Sequence, residues 1–499
     1  MEEFDFSQPS RQSSKGIIVI FAVNAVKWLR ALFPALVALG FGLFRKNSFL
    51  TWSPWMIALI IFVLLLLMLG VAVLKYLNFK FHVADDDFHL DTGIIEKDKT
   101  IIPKSKIQNV YIQQNFLQQI INVVSLKVES AGDKKSEIEI NALSRPMALQ
   151  LKKALFDRKS ATVETNDIFQ DEVEANVFFK ISIKRLFLEG LLHNHLKSFA
   201  IITSFAFGIY YEFKSIIEDL QINDNLDQLT TYEDGLAQVL YLNLLLGFIV
   251  LIISIVYSVV RIVIGNFNLE VIENNKTIEI SKGLLNKVSL TLTPDKIQNV
   301  IVKTNALKRR LNLHSLYVKQ AMTNEKQSKN FGIIALEDVH IQHLLDKLLQ
   351  NYHTSDEKRK PSSYYKRIMA FYSLLFLVLI NLIAVVLFDY NALFVNLFLV
   401  PFMALSVHYR YKKAYYNITE PFLTVGSGFI DTKKEIINIH KLQAVKLVQN
   451  IFQKRRGVAS VIVYTASKSV TIPYVNEKQA KSIYDFLLFK VESEGKNWM

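Results

Sequence analysis

The stretch Gly93 … Lys106-Ile107-Gln108-Asn109-Val110 … Asn115-Phe116-Leu117 … Asn122 … Ser125-Leu126-Lys127-Val128 recurs, without a gap, from Gly283 to Val318. There it reads Lys296-Ile297-Gln298-Asn299-Val300, Asn305-Ala306-Leu307, Asn312 and Ser315-Leu316-Tyr317-Val318. A third copy begins at Gly428 and gives Lys441-Leu442-Gln443-Ala444-Val445, Asn450-Ile451-Phe452, Gly457 and Ser460-Val461-Ile462-Val463. Between the first two copies 13 of 36 positions are identical. Self-similarity of this kind means one folded unit used repeatedly.

Each copy reads as several short strands followed by one helix. In the first, Asn78–Val83 alternates with period two, as a half-buried strand does. Ala84-Asp85-Asp86-Asp87 reads as a turn, and Glu96-Lys97-Asp98-Lys99 as a hairpin tip. Strands follow at Ser125–Ser130 and Glu137–Ile140, joined by Gly132-Asp133-Lys134-Lys135. A helix then starts at the cap Ser144, with Pro146 in its first turn, and runs to about Phe156. Its counterparts are Glu337–Leu349 and Asn476–Phe489. This order of elements is an α+β layer pattern. A glycine at one register of all three copies suits a positive φ or a bulge. The apolar ends of Ile-Gln-Asn-Val are three apart, so strict alternation breaks and a bulge is expected between them. Asn115, Asn305 and Asn450 are expected to bond local backbone at a turn, and Val110, Val300 and Val445 to be buried.

Three pairs of apolar segments precede the copies: Val26–Phe44 with Pro54–Leu74, Phe199–Tyr211 with Leu236–Ile264, and Ile368–Phe388 with Leu393–Val407. Most approach the ~20 residues that span a bilayer; Phe199–Tyr211 is shorter. Phe178–Leu186 reads as an amphipathic lead-in at the interface. The predicted organisation is a tail over 1–24, membrane hairpins over 25–74, 199–264 and 368–408, and modules over 75–158, 265–352 and 409–490. Linkers occupy 159–198 and 353–367, and a tail 491–499. The hairpin tips hold Arg45, Lys46 and Lys214, three of the 58 Lys and Arg residues, and the middle tip is acidic through Glu212, Glu218, Asp219, Asp224, Asp227, Glu233 and Asp234. By the positive-inside rule the tips face outward, and both termini and all three modules face the cytoplasm. The same rule accounts for the net charge of +13 without nucleic acid. Trp28, Trp52 and Trp55 sit where interfacial aromatics belong.

Spans combined with Gly-apolar-apolar … Ile-Gln-Asn-Val … Asn-x-Leu … Ser-Leu-x-Val resemble the bacterial membrane proteins of the YdbS/YdbT type, which carry bacterial pleckstrin-homology (PH)-like domains. Leu191-Leu192-His193-Asn194-His195-Leu196-Lys197-Ser198 is similar to that family too. The resemblance covers nearly the whole chain. It implies three β-sandwich or partly open barrel modules, each closed by a C-terminal helix, and no enzymatic activity.

Catalytic signatures are missing from the sequence. There is no cysteine, hence no disulfide, thiolate nucleophile or Cys-ligated metal. No Walker loop, Gly-x-Gly-x-x-Gly or His-Glu-x-x-His occurs. His193 and His195 lie at a membrane entry without a partner set, His340 and His343 read as a solvated helix face, and Asp85–Asp87 lacks the spacing of a calcium loop. No cofactor, metal or small-molecule substrate is expected. The one asymmetry is basic. After Asn-x-Leu, the second copy has Lys308-Arg309-Arg310, the third has Lys454-Arg455-Arg456 shifted by one position, and the first has Gln118-Gln119-Ile120. These triplets read either as exposed turns adding to cytoplasmic charge or as contacts for anionic headgroups or an acidic partner. The expected function is a non-catalytic membrane scaffold. Its partners would be a smaller sibling membrane protein with one PH-like module and anionic lipid. The alternative is a transporter or channel component, against which the spans hold few charges and no carboxylate.

Overall fold

The computed structural model describes residues 4–44, 54–130, 137–156, 176–219, 236–274, 277–320, 332–350, 352, 357–388 and 390–493. Arg45, Lys46, Trp52, Asp224, Asp227, Glu233, Asp234 and the Gly132–Lys135 turn lie outside these, as do the side chains of Glu212, Lys214, Glu218 and Asp219. The chain divides into two compact units, Met1–Phe178 with Val271–Thr291, and Phe179–Glu270 with Leu292–Met499. The division runs through the second repeat.

In the first unit, β1 (Ser10–Arg11), β2 (Lys80–Ala84), β3 (Asp87–Thr92) and β4 (Asp98–Pro103) form one antiparallel sheet in that order. Asp85 and Asp86 turn between β2 and β3 with φ of 49° and 67°. The N-terminal segment read as a tail is part of the module. It supplies β1, and Phe6 enters the core. β5 (Ile107–Gln114), β6 (Val124–Ser130) and β7 (Glu137–Leu143) form the facing sheet. Phe81, Phe88, Val110, Leu126, Val128 and Ile140 fill the space between, under Ala148, Leu151 and Leu155 of the helix Arg145–Phe156.

The second sheet does not stop at β5. It continues through β11 (Lys287–Leu292), β10 (Ile278–Lys282), β9 (Glu270–Glu273) and β8 (Asn176–Lys180), in the order β7-β6-β5-β11-β10-β9-β8. The last strand of the second repeat's first sheet is thus laid on the first strand of the first repeat's second sheet. β8 comes from the segment read as a linker.

The same junction recurs in the second unit. β12 (Ile297–Asn305), β13 (His314–Gln320) and β14 (Gly332–Leu336) join β15 (Tyr415–Thr419), β16 (Phe422–Gly428) and β17 (Asp431–Asn438) in the order β14-β13-β12-β17-β16-β15. A last sheet holds β18 (Leu442–Val448), β19 (Val458–Thr465) and β20 (Ser469–Asn476). The third module's core lies between these layers, with Leu423, Ile437, Ala459, Val461, Val463 and Ile472 fully buried beneath Ala480, Ile483 and Leu487 of the helix Glu477–Ser493.

The two junctions share one register. Gln114, 21 residues after Gly93, pairs with Lys287, four after Gly283. Thr304, 21 after Gly283, pairs with Thr432, four after Gly428.

The repeated glycines have φ of 102°, 109° and 131°, and a Cβ on any of them would lie 1.8–2.0 Å from the carbonyl oxygen three residues on. Only glycine fits. Register shifts fall between Ile107 and Asn109, Ile297 and Asn299, and Leu442 and Ala444, which places the expected bulge at the glutamine of each copy. Val110 and Val300 are fully buried; Val445 is only half-buried. The difference is physical, because β12 has a strand on each side while β18 pairs, among the described residues, only with β19.

Four helices among the described residues are long and apolar enough to cross a membrane: Ala58–Asn78, Leu245–Asn266, Tyr364–Val386 and Leu393–Lys413. Two further helices, Gly16–Phe44 and Leu196–Asp219, occupy the other positions of the expected pairs. Within the last pair, Asn381 and Asn396 bond each other reciprocally at 3.1 and 2.8 Å, which satisfies two amides in an apolar setting. The expected interfacial lead-in is split. Its first residues belong to β8, and Ser182 then caps a helix, Ile183–Leu191, by accepting from Arg185 N. That helix packs against Leu236–Asn266, closely enough that a Cβ on Gly190 would sit 3.2 Å from Val259.

Candidate functional site

The signature asparagine of each repeat caps a one-turn helix. Asn115, Asn305 and Asn450 have extended backbones, and their side chains accept from the amides of Gln118, Lys308 and Gln453 at 2.9, 2.8 and 2.8 Å. In the first and third copies the glutamine returns the bond at 2.8 Å, completing a capping box. Asn122, Asn312 and Gly457 end the turn with φ of 54°, 52° and 60°, which explains why the third signature is Asn or Gly. These caps hold the basic triplets in place.

The triplets do not share one environment. Lys308 is buried, contrary to the expectation of an exposed turn. It stands where the other copies have their capping glutamine, and its Nζ meets Glu189 Oε1 at 2.5 Å. Ser315 Oγ donates to the same oxygen at 3.2 Å. Burial pushes the Glu189 carboxyl above its ordinary pKa, while Lys308 and the Ser315 hydroxyl oppose the shift. Asn305 Nδ2 donates to Leu192 O at 2.7 Å. The second triplet is therefore partly consumed in holding the helix Ile183–Leu191. Sequence reasoning missed Glu189; a carboxylate between Leu188 and Gly190, on the buried face of an amphipathic helix, was its only signal.

Arg309 and Arg310 are exposed, and Arg309 Nη2 donates to Thr432 Oγ1 at 3.2 Å. Gln119 holds the matching position in the first copy, with Nε2 donating to the carbonyls of Leu284 and Leu285 at 2.9 and 3.0 Å. Both side chains cross a strand junction to the following repeat, Gln119 to its glycine turn and Arg309 to the start of β17 just after that turn. Lys454 is the residue at this position in the third copy. It is exposed, as are Arg455 and Arg456, and no ion pair engages the three among the described residues. Beside them, Ile451 and Phe452 are 72 % and 65 % exposed. The short helix Ile451–Arg455 thus presents two large apolar side chains next to three cations.

A second polar cluster lies at the β12–β17 junction. Glu435, buried, accepts from Asn299 Nδ2 at 3.2 Å, pairs with Lys433 at 2.7 Å and also contacts Lys468. Asn299 Oδ1 accepts from Thr465 Oγ1 at 3.0 Å. Burial and the nearby Lys433 pull Lys468 down to about 6. Asn299, part of the repeated Ile-Gln-Asn-Val, works here as a structural tie.

The histidines do not assemble into a site. The rings of His193 and His195 are edge-on at 6.5 Å, and intervening Asn194 bonds Asp431 at 3.1 Å. His340 lies against Phe179. No group of three or more His, Cys, Asp or Glu able to hold a metal occurs among the described residues.

A family profile described as bacterial PH domain matches residues 19–159, 228–350 and 372–490. The chain belongs to the bacterial PH domain family. Each match takes in apolar helix as well as the strands behind it, so the bacterial PH unit coincides with the repeat plus membrane sequence. The chain is a membrane protein with three repeated PH-like modules. It is 22 % identical over 440 residues to the UPF0699 transmembrane protein YdbT of Bacillus subtilis (strain 168), covering 84 % of this chain and 87 % of that protein. No solved structure matches it.

Proposed function

We propose that the chain is a non-catalytic membrane scaffold. In this reading its PH-like modules stand on the cytoplasmic side and engage anionic lipid headgroups and a smaller sibling membrane protein with one PH-like module. The observation that carries it is the helix Ile451–Arg455, with exposed Ile451 and Phe452 beside exposed Lys454, Arg455 and Arg456. Apolar side chains flanked by cations suit a headgroup region, where each basic residue contributes about 1 kcal/mol. Anchored modules already have a high local concentration at the bilayer, so the contact orients the module rather than recruiting it. Arg309 and Arg310 add charge from the second module; Lys308 is committed to Glu189.

The test uses the full chain in lipid nanodiscs, labelled with an environment-sensitive dye at Phe452→Cys. In anionic nanodiscs the emission is expected to shift to the blue relative to zwitterionic ones. High salt should reverse the shift, and so should Arg455→Ala/Arg456→Ala. Identical emission in both lipids rejects the lipid contact. Purification from native membranes in mild detergent, with co-eluting proteins identified, tests the partner.

A further inference from the structure

Every repeat has two sheets, and at both internal junctions the second sheet of one repeat is continued by the first sheet of the next. The joining strands are β5 with β11 and β12 with β17. The series leaves one strand of each kind at its ends. β18 corresponds to β5 and β12, and pairs only with β19 among the described residues. β4 corresponds to β11 and β17, and among the described residues pairs only with β3.

The end strands are exposed where their internal counterparts are covered. Ile101 of β4 is 55 % exposed; Ile436, at the same place in β17, is fully buried opposite Val300. Ala444 of β18 is exposed, whereas Asn299 is fully buried. Ile95, in the glycine turn beside β4, is 99 % exposed. Open edges with unpaired backbone groups and apolar side chains are templates for another strand.

We propose that β18 of one copy of this chain pairs antiparallel with β4 of a second copy, in the register of the internal junctions, so that modules continue head to tail from chain to chain. The shared register fixes the partners: Val445 lies opposite Ile101, Lys446 opposite Thr100, Leu447 opposite Lys99 and Val448 opposite Asp98. No like charges face each other in these pairs, which would otherwise oppose the pairing. Lys454 then takes the part of Gln119 and Arg309, reaching the carbonyls of Ile94 and Ile95 in the second copy's glycine turn. A second copy is the fitting occupant because the chain itself carries both complementary edges. The interface is heterologous and closes into a ring or extends as a row.

The chain has no native cysteine, so the register can be read by disulfide trapping in membranes. Two differently tagged full-length copies are co-expressed, one with Val445→Cys and the other with Ile101→Cys, and oxidised. A second pair uses Lys446→Cys with Thr100→Cys, because adjacent antiparallel pairs alternate in Cα separation and one is better placed to bridge. Val300→Cys/Ile436→Cys within one chain is the positive control, being an observed pair at the equivalent position. The expected result is a reducible species carrying both tags from at least one in-register pair. Yield should fall several-fold when Leu447→Cys replaces Val445→Cys. A control that cross-links while neither intermolecular pair does overturns the proposal. So does trapping of Val445→Cys on a different protein, which would give the edge to the sibling. The lipid contact is tested separately, because trapping is repeated in the Arg455→Ala/Arg456→Ala background.

Discussion

Replacing Lys308 by Met keeps the stem and removes the charge, leaving the Glu189 carboxylate buried with, among the described residues, only the Ser315 hydroxyl at 3.2 Å. Breaking a buried pair from one side typically costs about 3–5 kcal/mol. Here the carboxylate has an escape, because it can take up a proton. Protonating a carboxyl of ordinary pKa, about 4.3, costs about 3.7 kcal/mol at pH 7 and about 1 kcal/mol at pH 5, at 1.36 kcal/mol per unit. That cost caps the penalty of the stranded charge. Burial already pushes Glu189 upward, and removing Lys308 removes the main opposing influence. A carboxyl with a raised pKa in the folded state is disfavoured as pH rises above its unfolded value, so the variant should regain stability as pH falls from 7 to 5. Thermal unfolding of the detergent-purified chain, followed by circular dichroism, should show a deficit of several degrees at pH 7. By pH 5 it should shrink to about a quarter, measured against the native chain at each pH. Lys308→Met/Glu189→Gln should recover most of the pH 7 loss. Equal deficits at both pH values, or no rescue by the double change, would refute the view that Lys308 is a structural counter-ion.

Gly283→Ala should destabilise by several kcal/mol, because its Cβ would lie 2.0 Å from the Asn286 carbonyl oxygen in a left-handed conformation; a thermal midpoint within a degree of the native value contradicts this. Val110→Asp and Val300→Asp place a charge at fully buried positions and should lower expression of folded protein sharply, whereas Val445→Asp at a half-buried edge should be milder in detergent, where copies are diluted; equal losses at all three oppose the difference in burial. Asn450→Ala removes a helix cap and should cost about 1 kcal/mol, seen as faster amide exchange over residues 451–456.

Much of the module was legible because repetition separates structural necessity from accident. The glycine turn, the bulge within Ile-Gln-Asn-Val and the asparagine cap each recur at one register, and each performs the same backbone task in every copy. The strand junctions were not legible. Nothing in the alternation of β5 or β12 says whether its free edge meets water, lipid or another module, since edge pairing is carried by backbone groups common to all residues. Ser10-Arg11 and Asn176–Lys180 escaped notice as strands for a related reason: short edge strands carry little pattern. At the basic triplets the sequence displayed the charges but hid their surroundings. Lys308 and Lys454 look alike on the page. They differ by the one-position shift that puts Lys308 at the inward-facing capping site and Lys454 on the outer turn.

The scaffold reading requires the modules to share the cytoplasmic side, opposite the hairpin tips. Single cysteines at Tyr390, between the last two apolar helices, and at Lys454, in the third module, report the two sides. Both positions are exposed, and no native thiol competes. With an impermeant maleimide on intact cells, Tyr390→Cys should label, while Lys454→Cys should label only after the cells are opened. Labelling of Lys454→Cys in intact cells, with Tyr390→Cys protected, would place the modules outside and contradict the account.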